Sequence, residues 1–169
     1  MIEKKLSVKN FLGNGFFPAP VTMLYRNDVW DEKLPCIILE CLNEDRVLFS
    51  ILSKQGDAAY LDEKTAAYRK HGKSINSSNK YAFKLRAVVE TYKKLSIYFM
   101  DRSEKKMINQ SLWGYYYKLA ILSITGESNE SLRKVSFEIF MLKPIWIFVL
   151  IYKISKYKIR KTLIRKIHQ

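Results

Sequence analysis

Two adjacent carboxylates, Glu44 and Asp45, stand just ahead of an apolar stretch in which Val47, Leu48, Ile51 and Leu52 recur at helical spacing. A carboxylate is a weak base in water, yet it takes a proton from a hydroxyl held beside it. At a helix start, the partial positive charge of the helix N-terminus favours its ionised form. Acids in a first turn are also a common helix-start signal with no chemical task. Farther along, Arg69, Lys70, His71 and Lys73 form a basic cluster. A guanidinium or imidazole there can stabilise a departing anion; the same cluster also reads as a solvated loop. Arg26 ends a short apolar run, where it can reach an anionic ligand or simply lie in water. Cys36 and Cys41 are five apart and do not share a helix face. Two thiols make neither a disulfide scaffold nor a four-ligand zinc site. Both read as core or near-core thiols in a reducing compartment.

The chain's end carries a different chemistry. Residues 145–152, IWIFVLIY, are apolar and follow Lys143-Pro144. Lys153, Lys156, Lys158, Arg160, Lys161, Arg165 and Lys166 then alternate with Ile154, Ile159, Leu163, Ile164 and Ile167, with no acid from Pro144 to Gln169. An apolar, aromatic-rich face beside a Lys/Arg face is the pattern of a helix lying in a membrane interface. Trp146, Phe148, Lys153, Lys156, Arg160 and Lys161 are its expected membrane contacts. Each cation near an anionic leaflet adds about 1 kcal/mol. Plain packing of this helix on the rest of the protein is the alternative. Nucleic acid is a weaker match, because the cations share their helix with a large apolar load.

The elements that must position these groups fall into two sets. In the first half, Gly13, Gly15, Pro18 and Pro20 mark a loop before an expected strand, Val21–Tyr25. Leu34 to Leu42 is short and apolar. A helix is expected over Glu44–Ser53, stopping at Gly56. Ala58–Leu61 and Thr65–Tyr68 read as short extended pieces around Asp62-Glu63, and residues 72–80, GKSINSSNK, as a loop. The second half reads as helices. Tyr81, Leu85, Val88, Tyr92, Leu95 and Phe99 recur at steps of three and four, as do Trp113, Tyr116, Tyr117, Ala120, Ile121 and Ile124. Gly126 and Ser128 punctuate before a last segment, residues 129–169.

Composition narrows the classes. The chain has 169 residues, a net charge of +14 and 48% hydrophobic residues. A chain this long buries roughly 70% of its unfolded surface, so a real core is expected rather than disorder. No run reaches the roughly 18 apolar residues of a membrane span, and MIEKKLSVKN lacks the apolar core of a secretory signal. The charge is uneven. Residues 1–79 hold 11 basic and 10 acidic groups; residues 80–169 hold 19 and 6. That asymmetry points to an anionic partner for the second half.

Three features occur in order in residues 10–76: a loop leading into Pro20-Val21-Thr22-Met23-Leu24-Tyr25-Arg26; Asn43-Glu44-Asp45 opening a helix; and Gly56-Asp57-Ala58-Ala59-Tyr60-Leu61-Asp62-Glu63 leading to Ala67-Tyr68-Arg69-Lys70-His71-Gly72-Lys73-Ser74. Together they resemble the C-terminal part of the catalytic domain of a family 2 glycosyltransferase with the GT-A fold. The resemblance implies a mixed α/β, partial GT-A-like piece over residues 1–79, followed by an α-helical appendage over 80–169 whose end, 144–169, is amphipathic. It implies inverting transfer from a nucleotide-sugar donor to a surface-polysaccharide or lipid-linked acceptor. Asp45 would be the base, with Glu44 orienting it or the acceptor. Arg26, Arg69 and His71 would bind substrate, and His71 would approach a metal. The family's Asp-x-Asp motif is missing; Asp28 and Asp31 stand three apart. A divalent cation, Mg or Mn, is therefore expected only if a donor-binding half is supplied, for instance by a partner chain. The expected location is cytoplasmic, peripheral at the inner face of the membrane. The alternative is a non-catalytic module that binds a membrane surface or a partner.

Overall fold

A computed structural model of the chain describes residues 4–13, 22–26, 36–60, 63, 64, 66, 67 and 80–167. Among these the fold is mostly helical, 70% helix in six α-helices, with one two-stranded antiparallel sheet. This corrects the expected α/β architecture. A GT-A-like piece needs a layered sheet with several partnered strands. Here only β1 (Lys4–Leu6) and β2 (Ala58–Tyr60) pair, with Lys4 opposite Tyr60 and Leu6 opposite Ala58. In the expected strand Val21–Tyr25, the described residues from Thr22 on form no strand, and residues 36–38 form a single 3-10 turn, Cys36–Ile38. A short apolar run makes a strand only when another strand lies beside it, and among the described residues none pairs with this one. Of the second extended piece, Ala66 and Ala67 lie in neither helix nor strand, and Thr65 and Tyr68 lie outside the described residues.

The helices are α1 (Val8–Leu12), α2 (Glu44–Leu52), α3 (Tyr81–Tyr98), α4 (Arg102–Thr125), α5 (Leu132–Leu142) and α6 (Ile145–Ile167). The chain divides into two compact units, Met1–Leu112 and Trp113–Gln169, with the division inside α4. The charge step at residue 79 falls within the first unit.

In the first unit, α1 and α2 pack together, and α2 packs on α3. Phe11, Leu12, Val47, Phe49, Ile51, Leu85, Val89, Tyr92, Leu95, Phe99, Ile108 and Leu112 are buried. On α3 the buried stripe runs through Ala82, Leu85, Val89, Tyr92 and Leu95, whereas Tyr81 is exposed and Val88 half-buried. The stripe thus keeps the expected spacing but shifts by one residue at two positions. Ser111 Oγ donates to the Leu12 carbonyl at 2.7 Å and ties α4 to the end of α1. Asp101 caps α4: its Oδ1 accepts from the Ser103 and Glu104 N–H groups at 2.7 and 3.2 Å.

In the second unit, Gly126 ends α4 at φ +79°, a conformation that suits glycine, and the Glu127 and Ser128 N–H groups donate back to the Leu122 carbonyl. Ser131 caps α5 by accepting from the Lys134 N–H at 3.2 Å. Lys143 and Pro144 then separate α5 from α6. The two helices pack as a hairpin. Tyr116, Leu119, Ala120 and Leu122 of α4, Val135 and Ile139 of α5 and Leu150 of α6 form the buried core of this unit.

Candidate functional site

The acidic pair lies where the sequence puts it, in the first turn of α2. Glu44 is exposed and Asp45 half-buried; Asp45 Oδ1 accepts from the Arg46 N–H at 2.8 Å. This helix start is tied to α3. The Arg46 guanidinium lies 5.6 Å from the Tyr92 ring centre and donates to the Tyr92 hydroxyl at 3.2 Å. Asn43 Nδ2 donates to Thr91 Oγ1 at 3.4 Å, and Lys94 Nζ donates to the Glu40 carbonyl and carboxylate at 2.8 and 3.1 Å. Cys41 is buried in this region. Burial pushes its thiol above the ordinary value, and Lys94 and a hydrogen bond with Thr91 offset part of the rise. Arg26 is exposed. Arg69 and His71, expected beside Asp45, lie outside the described residues. Among the described residues no three His, Cys, Asp or Glu side chains come together as metal ligands.

A different surface draws together the chain's most distinctive groups. Between Phe137 and Tyr152, nine large apolar side chains stand exposed: Phe137, Phe140, Met141, Leu142, Ile145, Phe148, Val149, Ile151 and Tyr152. Single exposed apolar residues are ordinary, but so many on two adjoining helices point to a contact surface. The cause is helical geometry. On α5, Val135 and Ile139 point into the unit, which turns Phe137, Phe140 and Met141 outward. On α6, Leu150 is buried, and Trp146, Ile147, Ile154 and Tyr157 are half-buried beside it. Phe148, at 72% exposure, and Tyr152, at 66%, lie on the opposite side.

Cations flank this apolar surface. Residues 131–169 hold ten Lys and Arg and one acid, Glu138. Glu138 is half-buried and accepts a hydrogen bond from the Tyr116 hydroxyl at 2.9 Å. Arg133 and Lys134 lie exposed at the start of α5, Lys143 at the turn, and Lys153 and Lys156 where the apolar run of α6 ends. The polarity of α6 therefore changes along its axis as well as around it. No described helix is long and apolar enough to cross a membrane. The 23 residues of α6 span about 34 Å, but its apolar run covers only about 12 Å of that length.

Of the expected membrane contacts, Phe148, Lys153 and Lys156 are exposed. Trp146 is half-buried and faces inward, its ring centre 5.3 Å from that of Trp113. Arg160 and Lys161 lie within α6, with side chains outside the described residues. Sequence reasoning missed Phe137, Phe140, Met141, Arg133 and Lys134. The signal was available: α5 carries more apolar residues than one buried stripe needs. Comparison with protein-family models, with curated proteins and with solved structures gives no match to this chain.

Proposed function

We propose that this protein is a peripheral membrane-surface module that lays the α5–α6 hairpin on an anionic leaflet, such as the cytoplasmic face of a membrane. One observation carries the proposal: nine exposed large apolar side chains on two packed helices, in a stretch with ten cations and one engaged acid. Apolar side chains enter the boundary between headgroups and acyl chains, and the cations remain at the phosphates. Charge complementarity selects the occupant. A second copy would bring the same positive stretch against itself, whereas an anionic lipid surface neutralises it. The test is flotation of the full chain with vesicles of phosphatidylglycerol and phosphatidylcholine, at low and high salt. Binding to the anionic vesicles that weakens with salt is the expected outcome. Recovery of all the protein in the unbound fraction, even at low salt, overturns the proposal.

A second reading is catalytic: transfer of a sugar from a nucleotide-sugar donor to a lipid-linked or polysaccharide acceptor, together with a partner chain that supplies the donor half. It is supported by the ordered motifs of residues 10–76 and by the seating of Glu44 and Asp45 in the first turn of α2. Asp45→Asn is expected to abolish transfer in such an assembly with the fold kept; retained transfer removes Asp45 as the base.

A further inference from the structure

Two of the cations beside the apolar surface differ from the other described ones. Lys153 Nζ lies over two rings of α4, 4.9 Å from the centre of Tyr117 and 5.7 Å from that of Trp113. Lys143 Nζ, in the turn, lies 5.8 Å from the ring centre of Trp146. The Trp113 and Trp146 rings touch at 5.3 Å, and Trp113 stacks on Tyr117 at 6.3 Å. The two ammonium groups thus sit on one aromatic cluster. Among the described residues, neither has a carboxylate partner. Both lysines are exposed, and the three rings are half-buried.

We infer that Lys143 and Lys153, held on the Trp113–Tyr117–Trp146 cluster, form a binding site for the phosphodiester headgroup of an anionic lipid. The inference rests on the membrane-docking proposal and deepens it, from a diffuse charge effect to a defined headgroup site. Three physical points support it. A lysine on a flexible stem loses rotamer freedom when it grips an anion, and a ring face that already holds the ammonium removes part of that loss. A π-face leaves the full positive charge available, whereas a carboxylate partner would cancel it. Lys143 and Lys153 bracket the apolar run 145–152, so they lie at the border of an embedded apolar face, where headgroups are met.

The experiment measures partition of the full chain into vesicles of equal parts phosphatidylglycerol and phosphatidylcholine at fixed ionic strength. The variants are Lys153→Gln, Lys153→Arg, Lys143→Gln, Lys156→Gln and Lys134→Gln. Lys156 and Lys134 are exposed cations of the same hairpin with no ring beneath them among the described residues. Diffuse attraction treats every cation alike, at about fivefold in partition each. The headgroup site instead requires that Lys153→Gln and Lys143→Gln each lose well over tenfold, while Lys156→Gln and Lys134→Gln lose about fivefold or less. Lys153→Arg keeps binding, because a guanidinium also stacks on rings. Tyr117→Leu should weaken wild-type binding but add nothing in the Lys153→Gln background, because the ring acts through the lysine. Equal losses at all four lysines overturn the headgroup site and leave membrane docking standing. Absence of any vesicle binding by the wild-type chain overturns both. Free glycerophosphoglycerol is expected to compete. If inorganic phosphate at matched ionic strength competes as well, the site is one for soluble phosphate and the lipid assignment fails.

Discussion

If the α5–α6 hairpin docks as a unit, removing one exposed ring from either helix must weaken vesicle binding without unfolding the protein. Phe148 of α6 is 72% exposed and Phe137 of α5 is 64% exposed. Full burial of a phenylalanine side chain is worth about 1.5–3 kcal/mol. The exposed fraction of each ring therefore has about 1–2 kcal/mol left to gain from a membrane. At tenfold per 1.4 kcal/mol, that is about five- to thirtyfold in partition for Phe148→Ala, and a similar loss for Phe137→Ala. Alanine keeps both helices, because its helix propensity is the highest. Exposed substitutions of this kind shift stability by about 0.5 kcal/mol or less, so the melting temperature should hardly move. The assay is co-sedimentation with phosphatidylglycerol-containing vesicles, with thermal unfolding of each variant alongside. Phe137 is the decisive position. A C-terminal helix acting alone leaves Phe137→Ala at wild-type binding; a two-helix face does not. Wild-type partition by Phe137→Ala, or a loss of partition matched by a loss of fold, refutes the two-helix surface.

Three further outcomes follow from the packing and the titrating groups. Leu95 is fully buried on α3, so Leu95→Ala should cost about 2–5 kcal/mol, read as a lower denaturant midpoint. Asp101 is held below the ordinary carboxylate value by hydrogen bonds from the Ser103 hydroxyl and from the Glu104 and Ser103 N–H groups. Because the folded value is the lower one, its contribution is complete above the unfolded value and is lost as pH falls through the folded value. The stability advantage of the wild type over Asp101→Asn should therefore shrink on acidification, which thermal unfolding between about pH 6 and pH 2 will show; an advantage that grows in acid contradicts the cap. Cys36 is exposed, while Cys41 is buried with its thiol pushed up. A thiol reagent near neutral pH should label Cys36 quickly and Cys41 only on unfolding; equally fast labelling of both places Cys41 at the surface.

Helical periodicity makes much of the second half legible in the sequence. Leu85, Tyr92 and Leu95 mark one face of α3, Phe99 follows just past its end, and all four are buried as their spacing requires. Gly126 marks the end of α4 because a positive φ there suits a residue without Cβ. Local signals also located α2, since two acids before an apolar run state where a helix starts. The architecture of the first half was not legible in the same way. A strand is a pairing, and the sequence of Val21–Tyr25 says nothing about whether a partner lies beside it. The strands that do pair, Lys4–Leu6 and Ala58–Tyr60, are three residues each, too short for alternation to declare them. The one-residue shift on α3 has a related origin. Tyr81 and Ala82 both fit a stripe, and packing rather than hydropathy decides that the small side chain goes inside.

The exposed apolar surface was half-legible for a reason that bears on the proposed docking. The cationic run after Tyr152 announces itself in the sequence, and so an interfacial helix was expected at the C-terminus alone. Yet α6 cannot present a single apolar face. Its first turns are apolar on all sides, so one side must be covered and the other left open. Trp113 and Trp146 cover the inner side, and that contact fixes which residues remain outside: Phe148, Val149 and Tyr152. The same packing turns Phe137 and Met141 of α5 outward, because Val135 and Ile139 are taken by the core. An apolar surface shared by two helices is wider than one helix can offer, and both helices are already formed in the free chain. A lone amphipathic helix must fold as it binds and loses affinity to that ordering. A hairpin already folded on α4 avoids the loss, so binding should arise without a gain in helix content. Circular dichroism of the full chain with and without anionic vesicles tests this directly. Unchanged helicity on binding supports a preformed surface, whereas a large rise in helicity means that α6 orders only at the membrane.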